Sequence, residues 1–486
     1  MLDDVLLFVN GRRHRVRGPD AFLSLSDYLR RVHGLVGTKI VCSEGDCGSC
    51  SVLVGRAAKD GSRLVYHPVD SCILFMFQLE GTHIVTVEGL GDDATTSAVQ
   101  QAMIECHGSQ CGFCTPGFVV AMTGLLEEED ALDESQMRCG LTGNLCRCTG
   151  YTPILEAGRQ VDLTRHERMA TLYPSGPMLA EFQGRRSQPI EIHTEWSGEE
   201  HLFAAPPDLQ SALAFLQAHP DATVVAGATD IGVRINKTLA VPAKILDLNR
   251  VDELNQVAID GGALVLGARA SWTALEHVCK DLLSEFHKIV AIFGAPQIRH
   301  VGTIGGNIAN ASPIADSLPF LYVMDATLDL ASVNGARSLP ITEFYKGYKQ
   351  IDLRPGELIV RVRVPLPSAD DLLRLYKVSR RRDLDIASFT AAIRLRLDGE
   401  LIDEAAVAFG AVGPTVIRAR ETEAFLRGRP LDEDTMRAAG DVAVDEIAPI
   451  SDVRGAADYR YQLTRNILLK FYHETQTSTA ASTAFA

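Results

Sequence analysis

The sequence predicts an α+β protein of several domains, on three observations. Its 486 residues exceed what a single core organises, at roughly 100–200 residues per domain. Ten of its 11 cysteines lie between Cys42 and Cys148, so the first third is chemically a different object from the rest. Hydrophobic periodicity then changes along the chain, from short strands to helices and then to mixed strands and helices. With 46% hydrophobic and 22% charged residues the composition is that of globular protein, which excludes a disordered or fibrous chain.

Residues 4–9 (DVLLFV) read as a strand, Asn10-Gly11 as a hairpin turn and RRHRVR as its return. LSDYLRRVH (25–33) reads as a short helix, and strand signals recur at Ser51–Val54 and Ile84–Val87. Together they suggest a compact β-grasp-like unit over residues 1–90. A small helical bundle follows over 91–168: SAVQQAMIEC is amphipathic, TPGFVVAMTGLLEEE opens with Thr115 as N-cap and Pro116 at the first helical position, and PILEAGRQVDLTRHE predicts a helix over 153–167. The stretch from Thr171 to Glu200 has three prolines and no long period, and reads as an extended linker, placed at 169–195. An α/β unit over 196–369 starts with a helix around 208–218 and a strand ATVVAG. The last unit, 370–478, has an alternating strand IRLRL, an Asp398-Gly399 turn and helices from about 417 to 474.

The net charge of -15, from 47 Lys and Arg against 62 Asp and Glu, argues against broad electrostatic capture of nucleic acid or anionic lipid. No apolar run approaches the roughly 18 residues of a membrane span. The start, MLDDVLLFVNGRRHRV, is too acidic and too strand-like for a secretory signal, and the expected location is the cytoplasm. In that reducing compartment the cysteines are expected to be metal ligands or core rather than disulfides.

Cys42, Cys47 and Cys50 stand in CSEGDCGSC, the C-x4-C-x2-C spacing of plant-type [2Fe-2S] ferredoxins. Gly45 and Gly48 permit the tight turns that wrap thiolates around two irons. Cys72 is assigned as fourth ligand because it is the only later cysteine of the same predicted unit. Zinc, or buried thiols without metal, is the bland alternative, and the asymmetric triplet disfavours it. Cys111 and Cys114 (QCGFC) with Cys146 and Cys148 (NLCRC) form a second set of four. On spacing alone this set is either a zinc site or a second iron-sulfur cluster. Cys106 and Cys139 read as buried free thiols, and Cys279, in LEHVCKDLL, as core or partly exposed.

CSEGDCGSC, SQCGFCTPG and GNLCRCTGY, in this order and with these gaps, resemble the molybdenum hydroxylase family that contains xanthine dehydrogenase. The resemblance extends to about residue 475 and is to the arrangement in which two [2Fe-2S] domains and an FAD domain share one chain. It implies a large partner subunit carrying the molybdenum cofactor, a dimer of two-chain units, and NAD as electron acceptor. It also implies an FAD-binding domain of the PCMH type, like that of vanillyl-alcohol oxidase, followed by a C-terminal domain like that of the CO dehydrogenase flavoprotein. In such a protein a purine is hydroxylated at molybdenum and electrons pass through both clusters to FAD. Gln110 is implied to lie near the pterin of the partner.

Neither G-x-G-x-x-G after a strand nor G-x4-G-K-[ST] is present. VVAGATDIG (224–232) and HVGTIGGNIANASPIADSLP (300–319) are turns of glycine and small residues, the composition that lets backbone N-H groups reach a pyrophosphate, though also that of ordinary turns. By resemblance FAD falls to Val224, Val225, Ala226, Gly227, Ala228, Thr229, Asp230 and Ile231, to Thr303, Ile304, Gly305, Gly306 and Asn307, and to Asp316, Phe293, Ile359 and Lys377. Arg380, Arg381 and Arg382 read as a solvated basic loop or as an attractor for a dinucleotide. Tyr348 matches a position beside the nicotinamide. No catalytic Ser, His or Asp is expected, since the redox chemistry belongs to the cofactors, and the 13 histidines show no H-E-x-x-H spacing. Two rival readings share these features: a molybdenum hydroxylase for another heteroaromatic compound or an aldehyde, and a zinc-stabilised interaction module.

Overall fold

The computed structural model describes residues 1–91, 95–196 and 198–483, with side chains described to residue 476. The chain divides into two compact units, Met1–Glu253 with Gly294–Thr303, and Leu254–Phe293 with Ile304 onward.

The first unit is organised around Val5–Val9, whose five residues are all buried. A strand loses the usual polar alternation when both faces of its sheet are covered, and that is the case here. Val5, Leu7 and Val9 pack with Phe22, Leu25 and Leu29, while Phe8 points into a second core with Val99 and Phe118. The sheet runs in the order Arg12–Val16, Val5–Val9, Thr82–Val85, Ser51–Ala57, Leu64–Asp70. Its central pair is parallel, with Leu7 opposite Thr82, and the hairpin turn has Asn10 and Gly11 at φ 47° and 75°, as a two-residue turn requires. This is the expected β-grasp arrangement. The predicted helix after it winds as Leu25–Asp27 and then widens into a π turn over Tyr28–Val32, started by Ser24, whose Oγ accepts the Asp27 N-H at 3.1 Å.

The helices of the second segment are Ala98–Glu105, Thr115–Glu128, Glu134–Gly140 and Thr152–Arg159. Ser97 and Gln100 form a reciprocal cap at the first of them. The last ends at Arg159, well short of the predicted 167. The N-cap of the second is Cys114 rather than Thr115.

The stretch read as an extended linker is structured. It holds helices Met169–Leu172 and Gly176–Arg185 and the strand Ile190–Trp196. Arg185 explains why: it donates to the Asp4 carbonyl at 2.7 Å and to Glu80 at 2.8 Å, tying the helix to the first strand through a buried charge cluster. Burial opposes ionisation of Asp4, but Arg15 and Arg185 outweigh it and hold the carboxyl below its usual value. A four-stranded sheet, ordered Ile190–Trp196, Glu199–Ala205, Lys244–Asp247, Thr223–Val225, completes this unit. Phe203, Val225 and Ile245 share a core with Val5 and Phe22.

The second unit carries a five-stranded antiparallel sheet, ordered Val257–Asp260, Ala263–Gly267, Leu358–Pro365, Thr327–Ser332, Gly335–Pro340. Helices Trp272–Leu282, Ser284–Ala291 and Leu318–Val323 contribute to its core. A second sheet is built on the hairpin Phe389–Asp398 and Leu401–Gly410, with Leu372–Val378 and Ile417–Arg418 beside it. Helices Glu433–Asp445 and Ala457–Thr483 close the unit, and they approach so tightly that a Cβ at Gly440 would lie 2.1 Å from the Arg465 carbonyl. Among the described residues no helix is long and apolar enough to cross a membrane.

Candidate redox centres

The loop before Ser51–Ala57 turns sharply because Ser43, Gly45 and Gly48 all take left-handed conformations, at φ 56°, 71° and 65°. Such a loop folds back on itself within a few residues and aims Cys42, Cys47 and Cys50 at one point. Cys72 arrives from the end of Leu64–Asp70. The four free thiols form one connected set: Cys42 is hydrogen-bonded to Cys47 and Cys72, and Cys72 also to Cys50. Those bonds hold Cys42 below the usual thiol value and push Cys72 and Cys47 above it. The Cys72 bond lowers Cys50, but burial and the Asp70 carboxylate at 3.6 Å outweigh it and raise it. Four converging thiols are the donor set of a tetrathiolate metal centre, so these residues, Cys72 among them, fit a [2Fe-2S] cluster.

The second set converges in the same way. Cys148 and Cys111 lie with their sulfurs 3.6 Å apart, and the Cys114 thiol is hydrogen-bonded to Cys146. Burial and the Cys146 bond push Cys114 up to about 12. Burial opposes ionisation of Cys146, yet the Thr149 hydroxyl at 3.2 Å and nearby backbone N-H groups hold it low. The Cys146 N-H donates to the Tyr151 hydroxyl at 3.1 Å, and Tyr151 itself sits at φ 70°. Cys114 heads the fourteen-residue helix Thr115–Glu128, whose positive end favours an anionic centre. Gln110, beside this set, is exposed.

The two sets are joined. The Leu145 N-H donates to the Cys47 carbonyl at 3.0 Å, and the Asn144 amide to the Gly48 carbonyl at 3.0 Å. Gln297 donates to Asn144 at 2.9 Å and to Ser51 at 3.3 Å. Packing there leaves no room for side chains: a Cβ at Gly117 would lie 2.1 Å from the Gly48 carbonyl, and one at Gly143 would lie 2.0 Å from Gln297.

Of the remaining cysteines, Cys106 and Cys139 depart from expectation and Cys279 does not. Cys139 is exposed on Glu134–Gly140, and Cys106, at the end of Ala98–Glu105, is half-buried, so neither is the buried thiol predicted. A helix of seven residues presents one face outward, and Met137 rather than Cys139 takes the inward position. Cys279 is fully buried on Trp272–Leu282, and burial pushes its thiol up to about 12.

The positions assigned to FAD fall in both units. In the first, Val224 and Val225 end a strand, and Ala226–Asp230 make a turn into helix Ile231–Thr238, with Ala228 at φ 57°. A Cβ at Gly227 would lie 2.1 Å from the Val301 carbonyl, so only glycine lets these strands of backbone meet. Thr303 closes this unit. In the second, Ile304–Ala309 is a short helix in which Gly305 is pressed against Ala268, and Asn307 accepts from Ser317 at 2.7 Å. Asp316 and Lys377 form a buried ion pair at 2.7 Å. Burial raises the Asp316 carboxyl against the pull of Lys377, and its Oδ1 is buried without a hydrogen-bond partner. A buried carboxylate oxygen in that condition is costly unless a ligand donor satisfies it, which fits a polar cofactor group at this point. Ile359 lies in the sheet core and Phe293 packs on Trp272 with ring centroids 4.6 Å apart. Tyr348 is 62% exposed. In the arginine run, Arg381 is paired with Asp385 and Arg380 bonds the Val453 carbonyl, so part of its charge is already engaged.

Four family models match the chain. They are the 2Fe-2S iron-sulfur cluster binding domain at 7–73, the [2Fe-2S] binding domain at 86–159, the FAD binding domain in molybdopterin dehydrogenase at 198–367 and the CO dehydrogenase flavoprotein C-terminal domain at 374–475. Xanthine dehydrogenase of Emericella nidulans is 31% identical over 97% of the chain, which covers 38% of that protein. Aldehyde oxidase 4 of Cavia porcellus is 29% identical over 98% of the chain, which covers 39% of it. A chain of the crystal structure of quinoline 2-oxidoreductase from Pseudomonas putida 86 is 30% identical, with 94% of it and 56% of this chain aligned at a TM-score of 0.52. The protein is thus an iron-sulfur and flavin chain of the molybdenum hydroxylase family, with two [2Fe-2S] domains and an FAD-binding domain. It spans under two-fifths of the length of the curated relatives named here.

Proposed function

We propose that this chain is the electron-transfer subunit of a xanthine dehydrogenase. Electrons released by purine hydroxylation at a molybdenum cofactor, held by a separate large subunit, enter at Cys111, Cys114, Cys146 and Cys148. They continue through the centre on Cys42, Cys47, Cys50 and Cys72 to FAD and then to NAD. The observation that carries this reading is the Leu145 to Cys47 hydrogen bond, which couples the residue before Cys146 directly to a ligand of the other centre. One peptide step and one hydrogen bond between ligand residues give a short path between clusters. The direction of flow rests on exposure: Cys111 and Cys148 are exposed, as the end that meets a donor subunit requires, while Cys50 and Cys72 are buried. FAD is assigned to Val224–Ile231, Thr303–Asn307, Asp316, Phe293, Ile359 and Lys377. The working assembly is a dimer of two-chain units, in the cytoplasm.

Substrate choice resides in the partner, and the aldehyde oxidase and quinoline oxidoreductase relatives support a second reading in which the same path serves another heteroaromatic compound or an aldehyde. Quantifying iron, sulfide and flavin on the purified chain is the first test, with two [2Fe-2S] clusters and one FAD per chain expected. Co-expression with a large molybdenum subunit, followed by NAD reduction with xanthine, an aldehyde and quinoline compared, separates the two readings. A colourless chain that holds zinc in both cysteine sets after iron-sulfur reconstitution overturns both.

A further inference from the structure

His67, Glu128 and His300 lie far apart in sequence and together in space. His67 is on the edge strand Leu64–Asp70, Glu128 is the last residue of Thr115–Glu128, and His300 follows the turn Pro296–Arg299. One ligand atom from each lies within 4.8 Å of the others. The two imidazoles stack, with centroids 4.5 Å apart and planes 17° from parallel, and His67 Nδ1 meets Glu128 Oε1 at 2.8 Å.

We propose that these three side chains form a divalent-cation site of the zinc type. Two imidazoles and a carboxylate are a borderline donor set, suited to zinc with water in the fourth position. At bond lengths of about 2.0–2.1 Å, tetrahedral ligand atoms stand about 3.3 Å apart, so binding turns the two imidazoles out of their stack until a nitrogen of each points at the ion in its own ring plane. The local electrostatics favour a cation. Glu127, Glu128, Glu129 and Asp130 crowd the negative end of a helix, where acidic groups are disfavoured. Arg168 answers part of that charge, bonding the Glu127 and Glu129 carbonyls and Asp130, while Glu128 turns to His67. Partial exposure of His67 and Glu128, 30% and 39% at their side chains, gives an ion a way in. The site joins the strand that leads to Cys72, the helix that Cys114 begins and the segment Gly294–Thr303, all within the first unit. Its cation is a brace for the scaffold that holds the two cysteine sets, and takes no part in electron transfer.

The test uses the full chain with clusters and flavin in place, dialysed against zinc chloride, with zinc and iron measured together. One zinc per chain at unchanged iron, and a rise in the melting temperature on adding zinc, are expected. In the double variant H67Q/H300Q both are lost, with affinity falling by more than the roughly 10–100-fold that losing an outer-shell partner costs. E128Q gives an intermediate loss. The visible spectrum of the clusters and flavin reports that each variant is folded. Absence of zinc binding to the wild-type chain, zinc retained equally by H67Q/H300Q, or zinc taken up as iron is lost each overturns the proposal. The last of these places the metal at the cysteines.

Discussion

The two cysteine sets differ in how the fold protects them. Cys50 and Cys72 are 2% and 3% exposed, at the foot of a sheet covered on both faces, whereas Cys111 and Cys148 are exposed on two separate loops, each leading into a helix. Two ligands of one centre therefore lie in a core, and two ligands of the other lie at a surface. Solvent exposure and hydrogen bonding to sulfur are principal controls on the potential of such clusters, so similar ligands in two settings make two different electron carriers. The comparison also separates two kinds of mutational damage. Replacing Cys72 by Ser removes a buried ligand and leaves a hydroxyl in an apolar site, so both the first cluster and the melting temperature of the first unit fall. Replacing Cys148 by Ser removes the second cluster and lowers the melting temperature less. Iron analysis with thermal unfolding of each variant measures this, and equal destabilisation by the two would break the contrast.

Acid distinguishes the buried region further. His83 lies on Thr82–Val85, with the Gly11 N-H donating to its Nε2 at 3.0 Å and the Tyr66 hydroxyl against its Nδ1 at 2.8 Å. Since Nε2 must accept, the ring is neutral with its proton on Nδ1, and burial pushes its pKa down to about 4. A histidine depressed in the folded state takes up its proton more readily when unfolded, near pH 6.5. Its contribution is thus whole above pH 6.5 and lost as pH falls toward 4. At about 1.4 kcal/mol per pH unit the loss reaches about 3 kcal/mol. Urea unfolding of the wild-type chain and His83→Gln across that range measures it as a difference in slope, with the variant the flatter. Parallel slopes would remove His83 as the cause.

The junction between the regions is smaller in energy and more informative. Asn144 is 2% exposed, donates to the Gly48 carbonyl and accepts from Gln297. Asn144→Ala leaves buried groups unsatisfied and is expected to cost about 1–3 kcal/mol. Iron content stays at two clusters, while electron equilibration between them, followed by low-temperature spin resonance after partial reduction, slows. An unchanged rate would show that the Leu145 to Cys47 bond keeps the loops together without Asn144.

Much of this was legible in the sequence where one short segment carries the whole device. C-x4-C-x2-C with two glycines contains its own loop geometry, and Asn10-Gly11 its own hairpin. Features made by tertiary contact were not. Leu64–Asp70 escapes a strand reading because Pro68 interrupts it, and it is tolerated because the strand lies at the sheet edge, where a missing N-H breaks no ladder. Helix Gly176–Arg185 looks like linker until Arg185 meets Asp4 and Glu80, residues more than a hundred positions away. The junction residue Gln297 and the His67, Glu128 and His300 group have the same cause: spacing rules see one segment, and these sites are built from several. The relevant signal for Cys139 was helical phase, which places Met137 inward.

The exposed region carries an aromatic ring at its surface, where the other has the smaller Val41 beside Cys42. Phe113 stands between Cys111 and Cys114 with 48% of its surface exposed, and Ile104 nearby is 60% exposed. With half of its surface already in solvent, Phe113→Ser is expected to change the stability of the isolated chain by about 1 kcal/mol or less. If the proposed large subunit docks over this loop, the same substitution is expected to weaken association by roughly tenfold or more, because a buried aromatic at the centre of an interface contributes above 1 kcal/mol. Titration of the chain onto the partner, with xanthine-dependent cluster reduction as a second readout, measures both. Wild-type association by Phe113→Ser would place the partner away from the second cysteine set, and exposure would then cease to indicate where electrons enter.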